Sequence, residues 1–151
     1  MLPDGEHCES ISSKTRLRGR RTLLRMQTLY PVLKYKDAHA AIDFLEHAFG
    51  FERLHVYDGE NGGVAHAELR FAGEVVMLGS VSEGDPRFSR AAGLTSVYVV
   101  VDDPDSLHAR AREAGAEIVM EPTDQDYGSR DFIVRDPEGN LWSFGTYRPE
   151  A

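Results

Sequence analysis

The chain has 151 residues, the length of one globular domain, and its hydrophobic fraction of 41% and charged fraction of 28% are ordinary for such a domain. Its formal net charge of −8 opposes general binding to nucleic acid or to anionic membranes, so we expect neither as a partner. The longest apolar run, residues 97–101, is far shorter than the ~20 residues of a membrane-spanning helix. The single cysteine, Cys8, excludes an internal disulfide framework and a cysteine-rich zinc site, and it agrees with a cytoplasmic location.

Residues 1–26 differ from the rest of the chain in charge. They contain three acidic and six basic residues, so they carry +3 and the remainder carries −11. The segment has no hydrophobic periodicity and no apolar core of a secretory signal, which predicts a weakly ordered N-terminal extension. Three interpretations remain: a nucleic-acid-binding or targeting arm, a helical extension docked through Leu23 and Leu24, or non-functional sequence before a true start at Met26. We favour the third.

The body begins with a first repeat, module one, predicted over residues 27–80. An extended run ends at Asp37, and apolar residues spaced by three and four then predict an amphipathic helix that ends at Gly50. Asp37 is a typical N-cap, and Gly50 is a typical residue just after a helix. Three strands are predicted next, over 51–58, 64–71 and 74–80.

A linker over 81–93 leads to a second repeat, module two, predicted over residues 94–148. Its first strand ends at Asp103, and the following Pro104 makes a strong helix start because proline suits the first helical position. Gly115 ends this helix. Its strands are predicted over 94–103, 116–122, 129–136 and 141–147.

Glycines recur between the modules at nearly constant offsets. Gly50 and Gly115 stand 65 residues apart, and Gly79 and Gly145 stand 66 apart, because the DPEG turn adds one residue. The sequence therefore predicts an α+β fold of two tandem βαβββ modules that form a cupped mixed sheet with helices outside. A cavity between the repeats is the expected place for a ligand.

The paired modules, with KDAHAAIDFLEHAFGFE (36–52) and YGSRDFIVRDPEGNLWSFGTY (127–147), resemble the vicinal oxygen chelate superfamily. This is the group of glyoxalases, bleomycin-resistance proteins and extradiol dioxygenases. The resemblance covers residues 27–148, and the second motif is similar to the bleomycin-resistance-like branch. It implies a cupped sheet in which His or Glu residues at four strand positions hold one divalent metal ion.

The four positions that the resemblance assigns to metal ligands carry other residues here: Tyr30, Met77, Ser96 and Ser143. Neutral hydroxyls and a thioether bind divalent transition metals weakly. A shift of one residue in any of the four strands supplies neither a carboxylate nor an imidazole. We therefore expect no metal and no other cofactor.

Strand alternation indicates what lines the cup instead, because every second side chain points to the same face. On the third strand of module one, His66 and Glu68 share the face opposite to Ala67 and Leu69. The predicted ligand-binding residues are Tyr30, His66, Glu68, Met77, Ser96, Tyr98 and Ser143. The alternative for His66 and Glu68 is an ordinary solvated strand face.

The remaining aromatic candidates have simpler explanations. The alternation of side chains along the last strand places Trp142 in the core rather than against a ligand. His39, His47 and His108 lie on predicted helices away from the cup, and we expect them at the surface, as we do His55 on an outer strand.

Three functions remain open at this stage. The first is a metal-independent protein that binds a small organic ligand and resembles the bleomycin-resistance proteins. The second is a superfamily enzyme, a lyase, isomerase or dioxygenase, with a non-standard metal site or with His66 and Glu68 as acid–base groups. The third is a purely structural dimer module. We favour the first, and we expect a homodimer because each module leaves a sheet edge that a second chain can cover.

Overall fold

The computed structural model describes residues 27–82 and 92–150, and within these ranges the chain forms eight strands and two α-helices. Module one contains β1 (Val32–Tyr35), α1 (Ala38–Phe44), β2 (Glu52–Asp58), β3 (Val64–Phe71) and β4 (Glu74–Ser80). Module two contains β5 (Ser96–Val100), α2 (Pro104–Glu113), β6 (Glu117–Asp124), β7 (Arg130–Arg135) and β8 (Leu141–Gly145). The predicted extension over 1–26 and most of the predicted linker lie outside the described residues.

Both helices begin at the predicted aspartates. The Asp37 carboxylate accepts a hydrogen bond from the Ala40 backbone N–H at 3.0 Å, and the Asp103 carboxylate accepts one from the Ser106 N–H at 3.1 Å. Each bond satisfies a backbone donor that has no partner within the first helical turn. The hydrogen bonds from Ser106 also hold the pKa of Asp103 below its usual value.

The ends of the helices differ from the prediction in one respect. Gly50 and Gly115 adopt φ values of +79° and +82°, the left-handed conformation expected after a helix. The predicted single helix of module one changes after Phe44 into a π-helical turn, Leu45–Phe49, whose three apolar residues are all buried. No helix in the described part of the chain is long and apolar enough to cross a membrane.

Each module folds into its own four-stranded sheet. In sheet one the strand order is β1-β4-β3-β2, and in sheet two it is β5-β8-β7-β6. In each sheet the first and last strands of the module pair in parallel, while the other pairs are antiparallel. The same topology in both sheets confirms the predicted fold of two tandem βαβββ modules.

One side of each sheet belongs to the core. The fully or nearly fully buried residues on this side include Leu33, Tyr35, Val76, Leu78, Trp142 and Phe144, as strand alternation predicts. The opposite sides carry Val32 and Tyr98, which are exposed. We call these opposite sides the open face of sheet one and the open face of sheet two.

The two modules share one hydrophobic core, which joins their covered sides. The ring of Phe49, at the end of the π-helical turn, lies 4.7 Å from Phe144 and 5.6 Å from Trp142, and Phe51 lies 5.6 Å from Trp142. Arg110 of α2 donates hydrogen bonds to two backbone carbonyls of the same π-helical turn, at 3.1 Å each. Since the covered sides meet inside the chain, the open faces receive no cover from the shared core.

Candidate functional site

The four positions that could hold a metal by resemblance lie on or beside the open faces. Met77 of β4 pairs with Val32 and with Glu68, and Ser143 of β8 pairs with Tyr98. Tyr30 and Ser96 are exposed. Across residues 27–82 and 92–150, no three histidine, cysteine, aspartate or glutamate side chains converge as metal ligands do. The hydroxyls and the thioether at these positions do not fit a divalent transition metal, because such groups bind it weakly.

The open face of sheet one carries a square of four polar and aromatic side chains. His55 and Tyr57 come from β2, and His66 and Glu68 come from β3, with Tyr57 opposite His66 and His55 opposite Glu68. The Tyr57 ring is stacked with both histidine rings, with a centroid distance of 6.2 Å to His66 and of 6.2 Å to His55. His66 Nε2 lies 3.0 Å from Glu68 Oε1, at hydrogen-bonding distance. This arrangement offers flat ring surfaces beside a carboxylate.

His55 and Tyr57 were not in the predicted site, because β2 was assigned no site residue. The pairing of β2 with β3 includes register shifts, and only this pairing brings His55 beside Glu68. Alternation along β2 places the two residues on one face, but it does not say which face of β3 they join.

The open face of sheet two is built around an aspartate of β7. Asp131 pairs with Gly145 of β8. This pair lies two residues along the strands from the pair of Ile133 and Ser143, so it is on the same face of the sheet. Only 6% of the Asp131 residue surface is exposed. Sequence reasoning missed it, although the repeat contains a signal: Asp131 stands 65 residues after His66, the same offset that relates the helix-ending glycines.

The carboxylate of Asp131 is held by neutral donors. Tyr127 Oη donates to Oδ2 at 2.8 Å, and Ser129 Oγ donates to Oδ1. The hydrogen bond to the carboxylate favours the protonated phenol and so raises the pKa of Tyr127. The neighbouring Arg130 pairs with Asp105 and Asp124 instead. Within the described ranges, no basic side chain forms an ion pair with Asp131.

Gly145 allows this carboxylate to lie against the backbone of β8. A Cβ at position 145 would overlap Asp131 Oδ1 and would lie 2.6 Å from Tyr98 Oη. The two oxygens therefore approach the same point above β8, in space that only glycine leaves free. Tyr98 Oη donates its hydrogen bond to the backbone carbonyl of Tyr147 at 3.1 Å.

The predicted site residues form two groups within one chain. His66, Glu68 and Met77 share the open face of sheet one, and Tyr98 and Ser143 share that of sheet two. Among the residues that the structure describes, no hydrogen bond, ion pair or ring contact joins the two groups. The single cavity predicted to hold all seven residues stays a prediction.

Cavities in the described structure include two that lie apart from the His66 and Glu68 pair. A cavity of about 940 Å³ lies between the two sheets and is lined by apolar residues such as Phe71, Val97 and Leu107 and by charged residues such as Asp102 and Arg148; of the predicted site residues it includes Tyr98. A cavity of about 670 Å³ borders the DPEG turn, where Lys36 and Glu138 line it. Neither cavity includes the His66 and Glu68 pair.

Trp142 was predicted to lie in the core, and the three histidines on the helices were predicted to lie at the surface. Trp142 is fully buried, as predicted, and His39 and His47 are exposed. The surface assignment of His108 is wrong: its side chain is only 13% exposed, its ring packs edge-on against Phe132, and its Nε2 lies 2.6 Å from Glu121. The reason is that α2 packs on β6 and β7, and His108 contacts Glu121 of β6 and Phe132 of β7.

Comparison with known protein families shows the family of this chain. The model of the Glyoxalase/Bleomycin resistance protein/Dioxygenase superfamily matches residues 29–144. The chain belongs to this superfamily. The match confirms the resemblance that the two sequence motifs carried, and it includes both modules.

Individual known proteins are similar over most of the chain. Uncharacterized protein Mb0911c of Mycobacterium bovis is 37% identical over 126 residues, 78% of this chain and 81% of that protein. The crystal structure of TioX from Micromonospora sp. ML1 has a TM-score of 0.66 and 35% identity, and it covers 80% of this chain and all of TioX. A bleomycin-binding protein complexed with bleomycin has a TM-score of 0.62 at 18% identity and covers 82% of this chain; that likeness shows the fold alone.

Proposed function

We propose that this superfamily member binds a small organic ligand, without a metal ion, on the open faces of its sheets. The observation that carries the proposal is the square of His55, Tyr57, His66 and Glu68, where stacked rings lie beside a carboxylate. Flat aromatic surfaces with a few directed polar groups are typical of sites for organic ligands. The same fold holds an organic ligand in a bleomycin-binding protein complexed with bleomycin, so the fold can accommodate a site of this class.

A second copy of the chain is the proposed cover for the open faces. Large apolar side chains are exposed on the edge strand β1 and in the segments that lead into β1 and β5, with Val32 56%, Leu29 85% and Leu94 83% exposed. Exposed apolar surface of this kind is typical of interfaces. The homodimer would bring open faces of two chains together and enclose the ligand.

The net charge of −8 supports a ligand-binding role without nucleic acid or membrane partners, and the cytoplasm is the proposed location.

An enzyme is the second candidate, favoured by the contact between His66 Nε2 and Glu68 Oε1. A carboxylate that accepts the Nε2 proton leaves Nδ1 free to take a proton from a bound substrate and to return it, which is general acid–base catalysis. The lyase, isomerase and dioxygenase reactions of the superfamily that need a metal would require a non-standard site here.

Calorimetry with metal-free bleomycin tests the proposed binding. We expect saturable binding that is the same with and without EDTA, and less than one tenth of an equivalent of transition metal by elemental analysis of protein purified without chelator. Replacing Tyr57 with Leu removes the central ring of the square and should weaken binding, while Ala109→Glu on the exposed side of α2 should not. Absence of saturable binding at millimolar bleomycin, or binding that EDTA abolishes, would contradict the proposal.

A further inference from the structure

We infer that the open face of sheet two recognises an organic ammonium group, through the carboxylate of Asp131 and the rings of Tyr98, Tyr127 and Tyr147. The inference rests on the proposed function, because it assigns a ligand class to one of the two faces on which a ligand is proposed to bind.

The charge of the site is the first argument. A carboxylate withdrawn from water is costly unless a cation or several hydrogen bonds compensate it. Asp131 is 6% exposed, and within the described ranges its side-chain hydrogen-bond donors are the hydroxyls of Tyr127 and Ser129, which bring no charge. Arg130 is adjacent in sequence but pairs with acidic side chains of α2 and β6. The position therefore keeps a negative potential that a bound cation would neutralise.

The three tyrosines supply the second argument. Tyr127 reaches the carboxylate with its hydroxyl, and its ring lies edge-to-face with Tyr147 at 5.9 Å. Tyr98 approaches the same point from β5 and binds the Tyr147 carbonyl. Tyr98 is 41% exposed, Tyr127 is 64% exposed and Tyr147 is 50% exposed, so ring surface remains available to a ligand. Aromatic faces beside a carboxylate attract ammonium groups because the face of each ring is negative.

The local backbone is built for this approach. Gly145 leaves room for Asp131 Oδ1 and Tyr98 Oη above β8, and Ser129, itself 2% exposed, anchors the turn by accepting the Tyr147 N–H at 3.1 Å. A structural role for Asp131 needs only its hydrogen bonds, whereas recognition of a cation needs its charge. Asparagine in place of Asp131 keeps one oxygen acceptor, presents an NH2 donor to the second hydroxyl and removes the charge, so loss of the ammonium preference in a variant that still folds separates the two roles.

The experiment compares choline with 3,3-dimethyl-1-butanol, which has the same shape and no charge. Each is titrated at constant ionic strength into the full chain, and binding is followed by nuclear magnetic resonance of the tyrosine rings. We expect choline to bind at least tenfold more tightly, with shifts at Tyr98, Tyr127 and Tyr147. Asp131→Asn should reduce this preference about tenfold, and the matched control Asp126→Asn, an exposed carboxylate of the preceding turn, should leave it unchanged.

Tyr98→Leu provides a second variant, because it removes one ring and leaves the carboxylate in place. We expect this variant also to bind choline more weakly. Equal binding of choline and its neutral analogue by the unaltered chain, or no binding of either, would overturn the inference whether or not Asp131→Asn folds. The bleomycin titration judges the proposed function separately: bleomycin binding without a choline preference would overturn only the inference, and failure of both ligands would overturn both.

Discussion

The phenol of Tyr35 donates a hydrogen bond to Asp136 Oδ2 across 2.7 Å, and this bond joins β1 of module one to the closing turn of module two. Both residues are buried, at 0% and 2% exposure. Asp136 Oδ2 also accepts from the Trp142 indole N–H at 3.1 Å. Burial first, and then the nearby carboxylate of Asp136, raise the pKa of Tyr35 far above its ordinary value. A buried polar contact therefore holds the modules together in addition to the aromatic contacts of the shared core.

Removing the Tyr35 hydroxyl should destabilise the fold. In Tyr35→Phe the hydrogen bond is lost while Asp136 keeps its other donors, so we expect a loss of about 1–2 kcal/mol in the free energy of unfolding. Urea denaturation followed by circular dichroism measures it. Tyr57→Phe, at an exposed ring of the open face of sheet one, should change stability by less than about 0.5 kcal/mol. Equal stability of the two variants would contradict the role given to the bond.

The raised pKa of Tyr35 also predicts an alkaline loss of stability. The folded protein keeps the phenol proton that the unfolded chain releases above about pH 10. The stabilisation is therefore complete below that pH and falls as the pH rises, by about 1.4 kcal/mol per pH unit for one proton. Urea denaturation between about pH 9 and 11 should show a steeper decline for the unaltered chain than for Tyr35→Phe. Parallel declines would show that Tyr35 ionises as freely in the folded protein as in the unfolded one.

Gly145 should not tolerate a side chain. In Gly145→Ala the new methyl group overlaps the Asp131 carboxylate and crowds Tyr98 Oη, so we expect a loss of about 1–3 kcal/mol. The comparison is Gly59→Ala, where the nearest atom, the Ala65 backbone nitrogen, lies 3.3 Å from the added Cβ, and the expected loss is below about 1 kcal/mol. Thermal melting measures both. A Gly145→Ala variant as stable as Gly59→Ala would mean that Asp131 does not need to lie against β8.

The proposed homodimer predicts a mass of twice the chain mass at micromolar concentration in analytical ultracentrifugation. Val32→Glu puts a charge at an exposed apolar position of the outer strand β1 and should yield a monomer, because a buried unpaired charge is costly. Ala109→Glu, on the exposed surface of α2, should remain dimeric. A monomeric unaltered chain would remove the second copy as the cover of the open faces.

Much of the fold follows from local physics that the sequence displays. The repeat at 65 or 66 residues, the aspartates that begin both helices and the alternation that buries Leu33 but exposes Val32 all depend on neighbours a few positions away. The same alternation placed His66 beside Glu68, two residues along one strand, and their hydrogen bond agrees with it. These features are set by residue spacing and by backbone hydrogen bonding, so they need no knowledge of distant contacts.

Tertiary structure determined which distant segments of the chain contact one another. Tyr35 meets Asp136 across 101 residues, and Phe49 packs on Trp142 and Phe144, because the two modules dock through their covered sides. The absence of a charged partner for Asp131 within the described ranges depends on Arg130 turning toward α2. Such contacts depend on how whole sheets approach each other, and the free energy of that docking is summed over residues far apart in the chain; no spacing within one strand or helix records it.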